Sequence, residues 1–412
     1  MSYFRFNKVS GIINRMFYSF LFVSISFILT RNLPFYMLTP ISNLCVLLMT
    51  FIGFLHWFKA RDKFVGVLTL VITLLALYSL YFHNNNPVLV LRFYAILLSL
   101  LFVYYIPFKS LKSLDIVIYL HVLQGLVIVS ISAYLSFTWE SSDYLPIRFW
   151  FIENGFGDVY THGNGFFRVQ IKGNALIPFF ALVSNHLFDL TKKNKYKKIE
   201  IFLLIATIFA GNFMYLIGCL FYYLSKFFIE TNFFTKIKGI KHISFFFLLL
   251  LSIPILVNYS IGVLEMKSES GSKSSIGIRF DQANVLLNDI SDNTLTVLTG
   301  KGLGNVLNIV TESRDYTGDI YFEVQLFYFL NQLGFLFFIL YVFSLFYLYN
   351  KFMRYSYLGV IYLSYIAYAI SNPYIFDTNH LVVIVTLCLI NRCFNSHNSH
   401  SAKNSLKTAT LY

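Results

Sequence analysis

Apolar stretches of about 20 residues recur along almost the whole chain, and this recurrence constrains the fold before any other feature is read. Of the 412 residues, 57% are hydrophobic and only 12% are charged, too little polar surface to clothe a water-soluble body of this length. The pattern implies an all-α polytopic membrane protein, a single integral membrane domain over residues 1–412 with about twelve transmembrane helices. The expected spans lie near 16–30, 37–58, 64–82, 88–106, 115–137, 174–190, 199–211, 213–229, 243–260, 322–349, 356–371 and 378–394. Residues 199–229 admit two readings: two spans joined by a tight turn at Gly211-Asn212, or one long helix that would invert everything downstream.

The formal charge of +13 does not point to nucleic acid, because its cations sit in short connections between apolar segments. Lys59, Arg61 and Lys63 follow the second span, Lys109 and Lys112 the fourth, and Lys192, Lys193, Lys195, Lys197 and Lys198 the sixth. Lys226, Lys236, Lys238 and Lys241 follow the eighth, and Lys351 and Arg354 the tenth. These connections share one parity, so the positive-inside rule places them, and both termini, in the cytoplasm. Arg5, Lys8 and Arg15 ahead of the first apolar run resemble a signal peptide. No small-residue cleavage site follows, so an uncleaved first helix is expected. The four cysteines lie in or beside apolar segments and read as small buried side chains rather than as metal ligands or disulfide partners.

This topology leaves two long polar segments on the non-cytoplasmic side, 138–173 and 261–321, and a His-, Ser- and Asn-rich tail, 395–412, expected to be disordered. Lipid does not tolerate a polar, glycine-punctuated stretch, so the two loops must stand in water or line a wet cavity. The first carries Arg148 and then Arg168, Lys172 and Asn174; the second carries Arg279, Lys301 and Arg314. Arginine offers a planar fork of donors suited to phosphate oxygens; loop charges meeting water or lipid headgroups are the alternative. Gly300, Lys301, Gly302 and Gly304 would offer backbone amides as an anion nest, or simply a flexible turn. Glu323, at the head of the tenth span, is favoured by the helix dipole, or serves as a general base. Gln325, Asn331 and Gln332 on that helix would bond sugar hydroxyls or neighbouring helices. Arg92, inside the outer part of the fourth span, marks function or a side chain snorkelling to the headgroups. His162 is an exposed loop histidine able to assist acid-base chemistry. The sequence contains no Walker motif, no His-Glu-x-x-His, no serine elbow and no Asp-x-Asp.

In four places the chain resembles the O-antigen polymerase (Wzy) family within the O-antigen ligase superfamily. These are Arg168 with Lys172-Gly173-Asn174-Ala175, Ile278-Arg279-Phe280, Gly300-Lys301-Gly302-Leu303-Gly304-Asn305, and the helix from Glu323 to Gly334. The resemblance implies a glycosyltransferase of the bacterial inner membrane, with two large periplasmic loops. It would join undecaprenyl-pyrophosphate-linked repeat units by inverting transfer. Donor and acceptor would both be lipid-linked glycans, a chain-length regulator protein would be a partner, and neither metal nor cofactor is required. On this reading Arg168 and Arg279 hold the pyrophosphate, assisted by Lys172 and the glycine turn, and Glu323 accepts the acceptor's proton. A glutamate where ligases commonly carry histidine favours polymerase over ligase. A lipid-linked oligosaccharide flippase is the rival outside the enzyme class; its expected short loops and similar halves are missing from this sequence.

Overall fold

The computed structural model describes residues 19–20, 23–24, 39–106, 112–138, 144–161, 165–171, 173–231, 275–291, 293–310, 315–318, 322, 324–352, 356–369, 374–375 and 377–409. Their elements are α1 (Thr39–Ala60), α2 (Lys63–Tyr81), α3 (Pro87–Phe102, prolonged by a 3-10 turn, Val103–Tyr105), α4 (Lys112–Thr138) and α5 (Leu145–Glu153). A hairpin of β1 (Gly157–Thr161) and β2 (Phe167–Ile171) follows, then α6 (Leu176–Thr191), α7 (Asn194–Ala210) and α8 (Phe213–Glu230). The last elements are α9 (Ser275–Ile290), α10 (Thr294–Thr299), α11 (Gln325–Phe352), α12 (Ser356–Ala369) and α13 (Thr378–Ala409).

The protein is therefore mostly helical. Among the described residues, six helices are long and apolar enough to cross a membrane: Pro40–Ala60, Lys63–Tyr81, Pro87–Tyr105, Leu114–Thr138, Phe213–Glu230 and Gln325–Phe352. Leu176–Thr191, Tyr357–Ala369 and Thr378–Phe394 are shorter apolar helices. Most of the expected first span and all of the ninth lie outside the described residues.

Local chemistry explains where the helices begin and end. Asp62 caps α2 by accepting from the N–H groups of Phe64 and Val65 at 3.1 and 3.3 Å. Asn86 caps α3, whose first residue is Pro87. Between α7 and α8, Gly211 takes the left-handed conformation and Asn212 accepts from the N–H of Met214 at 3.1 Å. Residues 194–230 thus form two helices, not one.

Helix α6 is buried without interruption from Leu176 to Leu187, and α13 from Leu381 to Ile390. A helix apolar all round belongs in the middle of a bundle, and these two make the core. The outward faces of α1, α2 and α4 carry Leu44, Phe51, Leu70 and Leu123, each more than half exposed. Such faces suit lipid, not water.

Three expectations need correction. The segment 138–173 is not a plain loop, because within this mostly helical protein α5 and a short antiparallel hairpin occupy it, with Tyr160 opposite Arg168 in the register. Phe167, Val169 and Ile171 point inward and Arg168 and Gln170 to the other face, the period of two that makes a half-buried strand. The segment 261–321 contains helices α9 and α10. The tail expected to be disordered continues α13 as far as Ala409, with neither glycine nor proline after Thr378 to stop it.

Polar residues gather at the two ends of the bundle. At one end Asp62 accepts from Tyr105, from Tyr347 at 3.1 Å and from Lys351, joining the start of α2 to the end of α11. Lys226 meets Asp189 there, and Lys195 meets Asp115 at 3.3 Å. The hairpin, the Gly211-Asn212 turn, the connection between α2 and α3, and helices α9 and α10 belong to the opposite end.

Candidate functional site

At that opposite end the hairpin aims Arg168 toward the turn between α7 and α8. The Arg168 guanidinium lies over the Tyr160 ring, 5.6 Å from its centroid, and Arg148 lies 4.8 Å from the same centroid. The two arginines differ in their partners. Arg148 makes a two-pronged ion pair with Asp158, at 2.9 and 3.2 Å. Arg168 Nε is buried with no hydrogen-bond partner among the described residues.

Gly211 makes room for the Arg168 side chain, since a Cβ there would lie 2.3 Å from Arg168 Cγ and 2.7 Å from Nε. Beneath this turn Tyr215 donates to the Tyr374 hydroxyl at 3.0 Å, and Tyr365 donates to the Tyr374 carbonyl. Burial lowers the Arg168 pKa, the Tyr160 and Tyr215 rings oppose that shift, and the nearby Arg279 guanidinium lowers it further. Arginine nevertheless keeps its proton. Two cations that the sequence separates by more than a hundred residues therefore feel one another's field in the folded chain.

Arg279 lies near the start of α9, and two polar ties hold that helix. Asp281 accepts from the buried Tyr316 hydroxyl at 3.1 Å. At the other end of the helix, Asp289 accepts from Asn331 at 2.8 Å and from Asn305 at 3.2 Å. Asn331 Nδ2 also reaches the Leu286 carbonyl at 3.1 Å, and Lys301 Nζ stands 3.7 Å from Asp289.

The glycine turn does not form an anion nest. Its amides are already engaged: Gly300 donates to Thr296, Lys301 to the Asn331 carbonyl at 2.8 Å, and Gly302 to the Gln332 carbonyl at 3.0 Å. Leu303 donates to Ser79 Oγ at 2.7 Å and Gly304 to Gln332 Oε1 at 3.3 Å. Those two carbonyls accept at a break in α11, where Gly334 takes φ 64 and ψ 174. A Cβ on Gly300 would lie 2.3 Å from the Gln332 carbonyl oxygen, and one on Gly334 would lie 2.2 Å from the Gly300 nitrogen. The two backbones cross in contact, and glycine is what lets them. Asn85 clamps the same turn from the α2–α3 connection, donating to the carbonyls of Lys301 and Leu303 at 3.0 and 2.9 Å.

The expected amides serve this clasp as well. Asn331 and Gln332 are fully buried within it, and Gln325 donates to the Phe322 carbonyl at 3.0 Å, so none of the three is placed to grip a sugar. Asn174 is buried, donating to the Val169 carbonyl at 3.1 Å and thereby bracing β2. Arg92 is exposed on α3, within electrostatic reach of Tyr328. Glu323, Lys172, His162 and Arg314 lie outside the described residues. Among the described residues no three His, Cys, Asp or Glu side chains group as metal ligands.

Sequence reasoning missed Tyr160, Asp289 and the packing of Gly211 against Arg168. Only the first had a visible signal, the alternation in sequence on both sides of residues 162–166. In comparisons with known proteins, no family model matches the chain, and no curated protein or solved structure matches it either.

Proposed function

We propose that this chain is an O-antigen polymerase, an inverting glycosyltransferase of the bacterial inner membrane that joins undecaprenyl-diphosphate-linked repeat units on the periplasmic side. One observation carries the reading: Arg168 and Arg279 come from separate segments to the same end of the bundle, and the Arg168 Nε is buried without a hydrogen-bond partner among the described residues. A diphosphate offers several oxygens, enough to meet more than one guanidinium fork. The lysine-rich connections gather at the other end, which faces the cytoplasm in the proposed orientation with about twelve spans and both termini inside.

In the reaction, an acceptor hydroxyl oxygen attacks the donor's anomeric carbon. The bond from that carbon to the diphosphate oxygen breaks, and its electron pair leaves with undecaprenyl diphosphate. The two arginines stabilise that departing charge. Glu323, which the sequence puts two residues before α11, receives the hydroxyl proton. The leaving group is already activated, so the residues have only to bind, orient and move one proton.

Cells lacking the chromosomal copy and carrying Arg168→Ala or Arg279→Ala test the reading. Each variant should accumulate normally in the membrane yet show single repeat units in place of the long-chain ladder, a loss on the order of 100-fold in polymer. An unaltered ladder in either variant would overturn it. Absence of any repeat unit at the surface would indicate a flippase instead.

A further inference from the structure

We infer that Tyr160 and Gly211 form a slot that positions the Arg168 guanidinium, and that this slot, not a carboxylate, leaves Arg168 available to an anionic ligand; the inference rests on the functional reading above. Tyr160 and Arg168 are register partners in the hairpin, so their side chains share one face of the two strands. The Tyr160 ring meets both guanidiniums, with Arg148 at 4.8 Å and Arg168 at 5.6 Å from its centroid. Asp158 is already committed to Arg148 through both oxygens, so the one carboxylate in β1 is occupied.

The second wall of the slot is backbone. Arg168 Cγ, Cδ and Nε all fall within 2.8 Å of where a Gly211 Cβ would stand. A methyl group at this position must therefore push the guanidinium away, which no surrounding side chain does now. Gly211 holds a left-handed φ of 66 as the cap of α7, and Asn212 caps α8 immediately after it. The turn is thus fixed from both sides and cannot yield to a larger side chain. A π face holds a cation without satisfying its N–H donors, whereas a carboxylate would satisfy them. The edge of the Arg168 fork consequently stays available for phosphate oxygens.

The test uses the full-length protein in nanodiscs, with a lipid-diphosphate-linked repeat unit as both donor and acceptor. Tyr160→Phe keeps the ring and should retain kcat/KM within about two-fold, whereas Tyr160→Leu fills the space without a π face and should lose about ten-fold. Gly211→Ala should lose at least as much per folded molecule, with a melting temperature lowered by the left-handed backbone at that position. Loss in Leu with activity kept in Phe places the requirement on the ring and not on the hydroxyl. If Tyr160→Leu does not fold, Gly211→Ala reads the same slot from its other wall. Full activity in either folded variant, beside an inactive Arg168→Ala, overturns the slot and leaves the functional reading intact. Full activity in Arg168→Ala overturns the functional reading itself.

Discussion

The two ends of this bundle differ in the treatment of one cation. At the end that carries Asp62, Lys351 sits on a buried carboxylate, Lys226 on Asp189 and Lys195 on Asp115. At the other end Arg148 follows the same rule with Asp158, but Arg168 rests on an aromatic ring, within electrostatic reach of a second arginine. A cation whose donors are satisfied within the chain holds structure together; one whose donors are left over is equipped for something the chain does not contain. Arg148 and Arg168 make the contrast sharpest, because both meet the same tyrosine ring.

The largest expected effect breaks the frame on which Arg279 depends. Gly334→Val forces a Cβ and two methyls into the crossing with Gly300, in a conformation that side-chain-bearing residues avoid. It should lower stability by about 3–5 kcal/mol and reduce the yield of folded protein in detergent. A melting temperature equal to the parent's would show that the crossing carries no weight.

A smaller effect belongs to the opposite end. Burial alone would raise the Asp62 pKa, but donations from Lys351, Tyr105 and the Val65 N–H outweigh it and bring it to about 2. A carboxylate depressed on folding stabilises the protein above its unfolded pKa of about 4 and loses that contribution as the pH falls toward about 2. Asp62→Asn should therefore cost about 2 kcal/mol at neutral pH, with the gap from the parent closing between about pH 4 and 2. Denaturation curves across that range check the point. A gap independent of pH would mean that the latch does not hold a charged carboxylate.

How much of this the sequence discloses varies with the kind of information a feature needs. The turn at Gly211-Asn212 is legible because glycine and asparagine at a helix junction have local meaning. The apolar helices are legible because a segment that crosses a membrane needs about 20 apolar residues in a row. The Gly300–Gly304 turn misleads because amides available to an anion and amides already donating to Asn331 and Gln332 have the same sequence. The break at Gly334 hides inside an apolar run that reads as an unbroken helix, and only the incoming turn reveals why the helix opens. Asp62 looks like one more charge among the lysines of its connection, and its burial depends on Tyr105 and Tyr347, which lie far from it in sequence. Contacts across a hundred residues or more are what the chain does not spell out.

The most direct test of the contrast between the ends is the affinity of the purified protein for undecaprenyl diphosphate, compared among the parent, Arg168→Ala and Lys351→Ala. Removing a charge-assisted fork should weaken binding by about ten-fold or more in Arg168→Ala, while Lys351→Ala, although less stable, should bind as the parent does. Unchanged affinity in Arg168→Ala, or equal losses in the two variants, would contradict the account.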